Sequence, residues 1–202
     1  MPHLRIGLFG GTFDPPHVGH LILASEACSQ LRLDRVLWML TPTSPFKVKK
    51  KITALDHRQA MVEHAIAGNP AFELSLLEAE RPAPQYTLDT VRAVQALFPA
   101  DHIILLIGGD SLRDLLRWHR PADLLKACKQ IAVMHRPGSR IALAPLEKKL
   151  PGLTKKLRFV DAPLLEIASS EIRTRARLGK PFRYYLPPGV YEYILEHKLY
   201  LK

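Results

Sequence analysis

Cysteine is scarce in this chain of 202 residues: Cys28 and Cys128 stand far apart and no Cys-x-x-Cys pair occurs. That usage disfavours a disulfide framework and the common structural zinc sites, and it suits a reducing, cytoplasmic setting. No apolar run reaches about 18 residues, which excludes a membrane-spanning helix. The first residues lack the charged-then-apolar pattern of a secretory signal and enter a strand-like run at Leu4. Two phosphate-binding fingerprints are also missing, Gly-x-x-x-x-Gly-Lys-Ser/Thr and Gly-x-Gly-x-x-Gly. A nucleotide would therefore be held by another solution. Carboxylates are few as well, with 19 Asp and Glu against 29 Lys and Arg, a formal net charge of +10. Such a field attracts polyanions, whether nucleic acid, an acidic membrane or phosphorylated small molecules. The excess concentrates late: Arg136 to Arg183 holds 12 basic and 4 acidic residues. No aromatic-interleaved basic sheet and no helix-turn-helix pattern accompanies it, which counts against a non-catalytic nucleic-acid binder.

What is present is ample apolar material, 47% of the chain, enough to bury a sizeable core. Strand-like runs at Leu4–Phe9, Arg35–Leu40, Phe72–Leu77, His102–Ile107, Ile131–Met134 and Leu157–Val160 alternate with helical spacing. The helices are expected after Val18, from about Thr53 to Ala67, from Leu88 to Phe98, near Ser111–Leu116 and Ala122–Lys129, from Ser169 to Leu178 and from Pro188 to about His197. Thr53, Thr87 and Ser169 are the expected N-caps, and Gly179 suits the position just past a helix end. A Lys-rich connection precedes the last strand. The alternation predicts an α/β fold, Rossmann-like and doubly wound, with a mostly parallel sheet and a small C-terminal helical portion. We read residues 1–202 as a single domain, with 164–202 as its C-terminal helical subregion.

Ligands of open parallel sheets bind past the carboxyl ends of the strands. Three segments fall there: Gly10–His20, Gly108–Ser111 and Arg136–Gly138. The first reads Gly-Gly-Thr-Phe-Asp-Pro-Pro-His-Val-Gly-His. Its glycines allow a sharp turn and a close ligand approach, and a helix starts near Val18 with its amides aimed at an anion. His17 and His20 lie three apart and share a face of that first turn, with Gly19 leaving room between them. Near the end of the chain, Ser169, Ser170 and Arg173 open another helix, where a hydroxyl cap and a guanidinium one turn on suit phosphate oxygens. Asp110 at a strand end is either a ribose ligand or an N-cap. Trp118 offers a plane for stacking or is a core aromatic.

His17-Val18-Gly19-His20 resembles the His-x-Gly-His signature of a nucleotidyltransferase superfamily. Ile167-Ala168-Ser169-Ser170-Glu171-Ile172-Arg173 resembles its second signature, Ile-Ser-Ser-Thr-x-Ile-Arg, with Ala168 and Ser170 as departures. Pro84-Gln85-Tyr86-Thr87-Leu88-Asp89-Thr90, Ile107-Gly108-Gly109-Asp110-Ser111-Leu112 with Trp118, and Arg136-Pro137-Gly138 resemble blocks of the bacterial nicotinate mononucleotide adenylyltransferases. The likeness runs from about Ile6 to Tyr200. Phe46 stands where that family often has His before the retained Lys47.

The resemblance implies adenylyl transfer from ATP to nicotinate mononucleotide, giving nicotinate adenine dinucleotide and pyrophosphate, with Mg²⁺ accompanying ATP. The alternative is a related transferase with another phosphate acceptor, such as nicotinamide mononucleotide. It implies His17, His20 and Arg173 as catalytic residues. Gly10, Gly11, Thr12, Phe13, Gly19, Gly108, Asp110, Ser169 and Ser170 would join them in binding ATP. Lys47, Tyr86, Thr87, Trp118, His119 and Arg136 would bind the mononucleotide, with main-chain amides near Thr87 and His119 taking its carboxylate. The implied partners are these small molecules, with no nucleic acid, no membrane and no protein metal site. Oligomeric state is left open.

Overall fold

The computed structural model describes residues 3–42, 52–135, 141–163 and 165–201. Six parallel strands form one sheet in the order β3-β2-β1-β4-β5-β6: β1 Arg5–Gly11, β2 Arg35–Leu40, β3 Phe72–Ser75, β4 His102–Gly108, β5 Gln130–His135 and β6 Leu157–Asp161. This is the doubly wound strand order, and every described pairing is parallel. The inner strands read as continuous apolar runs because helices cover both faces of the sheet. Phe9, Trp38, Leu40, Ile104 and Leu106 point to one face, against α1 (Val18–Gln30), α2 (Leu55–Ile66), α8 (Ser169–Arg177) and α9 (Pro188–Glu196). Ile6, Leu8, Leu37, Met39, Ile103 and Leu105 point to the other. There they meet α3 (Thr87–Leu97), α4 (Gly109–Arg113), α5 (Pro121–Ala127), α6 (Leu143–Lys149) and α7 (Leu153–Lys156). Among the described residues no helix is long and apolar enough to cross a membrane.

The expected elements are present, with differences at their ends. The expected caps Thr53, Thr87 and Ser169 are each displaced by one residue: Ala54, Tyr86 and Ala168 are the N-caps. Two of the three residues hydrogen-bond to distant or helix-interior groups. The Ser169 hydroxyl donates to the Pro15 carbonyl at 2.9 Å, and the Thr53 carbonyl accepts from Arg58 Nε at 2.9 Å. Strand β3 stops at Ser75, short of Leu77, as befits an edge strand. The Lys-rich connection folds into α6 and α7, whose Leu146 and Leu153 are buried. Gly179 takes φ +65° just past α8, as its position suggests.

The chain runs outward from β1 through β2 to β3, then crosses back through α3 to β4 on the other side of β1. Connections therefore diverge between β1 and β4. A crevice opens beyond Gly11 and Gly108 at their carboxyl ends, where such sheets bind ligands.

Candidate active site

His17 is the N-cap of α1 and has extended backbone. Its N–H donates to His20 Nδ1 at 3.2 Å, and the two rings stack with centroids 3.7 Å apart. With Nδ1 accepting, a neutral His20 carries its proton on Nε2. Aromatic packing fixes the ring from below. Phe13 stands edge-on to His20 at 5.2 Å and packs against Trp38 at 5.0 Å and Phe9 at 5.5 Å. The Phe13 side chain is thus buried in the core beneath His20, so its expected place at the nucleotide is open only to its backbone. Two glycines are required by close approach. A Cβ on Gly11 would lie 2.8 Å from the Phe13 ring, and one on Gly19 would lie 3.1 Å from His17 Nδ1.

His17 is 6% exposed, and among the described residues its Nδ1 has no hydrogen-bond partner. Burial lowers its pKa from 6.5 to about 4, so the imidazole is neutral near pH 7. The unfolded chain takes up a proton near pH 6.5 that the fold refuses until about pH 4. The stability tied to this residue is therefore full above pH 6.5 and is lost as the pH falls toward 4, on the order of 3 kcal/mol. Asn at this position is a good N-cap and does not titrate. Urea unfolding of His17→Asn between pH 7 and pH 4.5 should show a shallower loss of stability than the wild type. Parallel pH profiles would reject the assignment.

The late signature lands beside the early one. Ser169 donates to Pro15, Arg173 Nη1 donates to the Asp14 carbonyl at 2.6 Å, and Ile167 lies beside Gly19. The starts of α1 and α8 are thereby neighbours, with Ser170 exposed on the first turn of α8. Arg58 of α2 braces the same loop from inside. It is 2% exposed and donates to the carbonyls of Thr12, Thr41, Pro42 and Thr53 at 2.8–3.0 Å. Arg58 was passed over in the sequence, although a signal existed: it shares a helical stripe with the buried Met61, Val62 and Ala65, and a cation on an apolar stripe must find acceptors.

A cavity of about 510 Å³ opens beside this loop, at the divergence between β1 and β4. Gly10, Gly11, Thr12, Gly108 and Asp110 line one part of it, and Tyr86, Thr87, Trp118 and His119 another. The Tyr86 and His119 rings stack at 4.0 Å, and Trp118 is half-buried against the second core. Gly108, not Asp110, is the N-cap of α4, which removes the capping reading of Asp110; its exposed carboxylate pairs with Arg113. Lys47, with its neighbour Phe46, and Arg136 lie outside the described residues. His17, His20, Ser169 and Arg173 adjoin the cavity through the Thr12–Pro15 loop and do not line it.

The sequence reading missed the polar support beneath Tyr86 and Thr87. Thr90 Oγ1 donates to Glu78 Oε1 at 2.7 Å and accepts from Arg81 Nη2 at 2.6 Å, while Gln85 Nε2 donates to the Arg81 carbonyl at 3.1 Å. Nothing local marks Glu78 or Arg81 as buried-network members, because their partners lie across a proline-containing loop. The network holds the chain entering α3, where Tyr86 and Thr87 line the cavity.

The chain was compared with known proteins. The cytidylyltransferase-like family matches residues 8–175. A nicotinate-nucleotide adenylyltransferase from Bacillus subtilis is 39% identical over 97% of this chain and 98% of its own length. A probable nicotinate-nucleotide adenylyltransferase from Bacillus pumilus is 42% identical over 97% and 98%. Among solved structures, a Plasmodium falciparum nicotinic acid mononucleotide adenylyltransferase complexed with NaAD superposes with a TM-score of 0.79. It is 22% identical and matches over 98% of both chains, a likeness of fold.

Proposed function

Because the chain belongs to the cytidylyltransferase-like family and, within it, to the nicotinate-nucleotide adenylyltransferases, we propose that its rim cleft carries adenylyl transfer from ATP to nicotinate mononucleotide. The observation that carries this reading is the junction of two regions. One is a cavity walled by Tyr86, Trp118 and His119, and the other is a pair of helix starts bearing His17, His20, Ser169 and Arg173. The first suits a planar pyridine ring and the second suits a triphosphate.

In this mechanism the mononucleotide phosphate attacks the α-phosphorus of ATP in line, and pyrophosphate leaves. The acceptor is already a nucleophile, so no side chain forms a covalent intermediate. Catalysis is positioning and charge stabilisation. His20 donates from Nε2 toward the reacting phosphoryl oxygens, and the first amides of α1 add donors without a mobile charge. Neutral His17 holds the His20 ring and contributes no second cation. Ser169, Ser170 and the remaining Arg173 donors receive the β- and γ-phosphates. Gly10 and Gly11 let the nucleotide lie against the end of β1. Asp110 is available to a ribose hydroxyl, and amides near Thr87 and His119 to the pyridine carboxylate.

Nucleotidyltransferases generally use a divalent metal, and Mg²⁺ is the ion we propose. Among the described residues no three His, Cys, Asp or Glu side chains converge on an ion site. Such an ion would be held by phosphate oxygens and water and would spread the triphosphate charge. The free thiols of Cys28 and Cys128 suit the cytoplasm, where we place the reaction.

The test incubates purified protein with ATP, Mg²⁺ and nicotinate mononucleotide, nicotinamide mononucleotide or phosphopantetheine, and detects the product. Nicotinate adenine dinucleotide should dominate. Equal or greater turnover with another acceptor would reassign the substrate. Trp118→Ala should raise the KM for nicotinate mononucleotide by roughly 10- to 100-fold, the worth of a lost stacking plane. An unchanged KM would return Trp118 to the core.

A further inference from the structure

The loop that ends in His17 is also held by a residue at the other end of the chain. Tyr200, in the segment after α9, donates its hydroxyl to Asp14 Oδ1 at 2.6 Å. The same hydroxyl lies 3.9 Å from Met61 Sδ of α2. Asp14 is 5% exposed, and its second carboxylate oxygen faces the Thr53 N–H at 3.4 Å and Arg173 Nη1 at 3.8 Å. Arg173 Nη1 meanwhile holds the Asp14 carbonyl. One buried carboxylate thus ties the tail, α2's entry and α8 to the residues immediately before His17.

Tyr200 has φ +62°, a conformation that a residue with a side chain adopts only where its surroundings hold it. Burial and the Asp14 charge push its phenol far above the usual tyrosine range, so it stays a donor at any working pH. The Asp14 carboxylate cannot rotate toward another donor without surrendering Tyr200 or Arg173.

We propose that Tyr200 is a positioning residue for adenylyl transfer: it fixes the Asp14 carboxylate and, through it, the direction of the Arg173 guanidinium and of the loop carrying His17 and His20. Tyr200 is not among the residues that line the cavity, so it acts through Asp14. The inference rests on the reading of the cleft as an ATP-using site.

Tyr200→Phe keeps the ring and removes only the donor. It should lower kcat by roughly 10- to 100-fold and raise the KM for ATP, the effect of losing a hydrogen bond to a charged group. The KM for nicotinate mononucleotide should stay within about twofold, because the wall formed by Tyr86 and Trp118 is supported separately. In an Asp14→Asn background the same substitution should do little further harm, since the hydroxyl acts through the carboxylate. Wild-type kcat and KM for ATP in Tyr200→Phe would overturn the proposal. So would losses that multiply independently in the double variant, or a Tyr200→Phe protein that no longer folds by circular dichroism. A wild-type protein that makes no dinucleotide would overturn the reading of the cleft itself, and this inference with it.

Discussion

Replacing His20 by Ala should lower kcat by about 10²–10³-fold, the range expected when a donor to developing phosphoryl or oxyanion charge is removed. The geometry makes this the most damaging single truncation in the cleft. His20 is held at Nδ1 by the His17 N–H, on a ring face by His17 and at its edge by Phe13 and Phe9. In the proposed mechanism a ring fixed in this way meets the phosphoryl oxygens without reorganisation during the reaction. The fold should tolerate the change, losing about 1 kcal/mol with the His17 N–H partner. Pyrophosphate release in a variant with native circular dichroism measures the effect. The KM for nicotinate mononucleotide should move little. A folded His20→Ala protein that turns over near the wild-type rate would remove His20 from the reaction.

The largest effect on stability is expected at Arg58. Arg58→Met keeps length and apolar contact but strands the carbonyls of Thr12, Thr41, Pro42 and Thr53, which this guanidinium gathers from the β1–α1 and β2–α2 connections. Burial pulls the Arg58 pKa below its ordinary value, with the charge of nearby Asp14 acting in the opposite sense. Removing one member of such a buried polar set costs on the order of 3–5 kcal/mol. Against a typical total of about 5–15 kcal/mol, that loss leaves a marginal protein. Urea unfolding should show a lower midpoint with an unchanged slope. Arg58→Lys should recover only part, because a single ammonium cannot reach acceptors spread around a planar fork. A loss below about 1 kcal/mol in Arg58→Met would show that water replaces the guanidinium at all four carbonyls.

Much of the architecture was legible because it depends on local periodicity. A short apolar run rich in β-branched residues, such as Ile103–Ile107 closed by Gly108-Gly109, suits a strand covered on both faces, and the 3.6-residue spacing of Leu88, Val91 and Val94 buries one helix side. The helix caps were less legible. A Ser or Thr at a helix start has a choice of positions and partners, and at Ser169 the hydroxyl donates to the Pro15 carbonyl, 154 positions earlier, while Ala168 takes the cap position. The direction of the Phe13 ring was not legible for a similar reason: its place in the loop after β1 says nothing about which way the ring turns, and core packing against Trp38 and Phe9 turns it inward.

The amino-acid order alone determined the alternation of strands and helices, the two short signatures that suit phosphate, and the aromatic and Thr-bearing segments that suit a mononucleotide. Each of these depends on neighbours within one or two turns of chain. Only the crossing of the chain over the sheet decided that Ser169 and Arg173 grip Asp14 and Pro15, that Arg58 gathers two loops, and that Tyr200 closes on Asp14. The reason is physical: a hydrogen-bond partner is chosen by distance in space, and distance in space is settled by the order in which strands join the sheet.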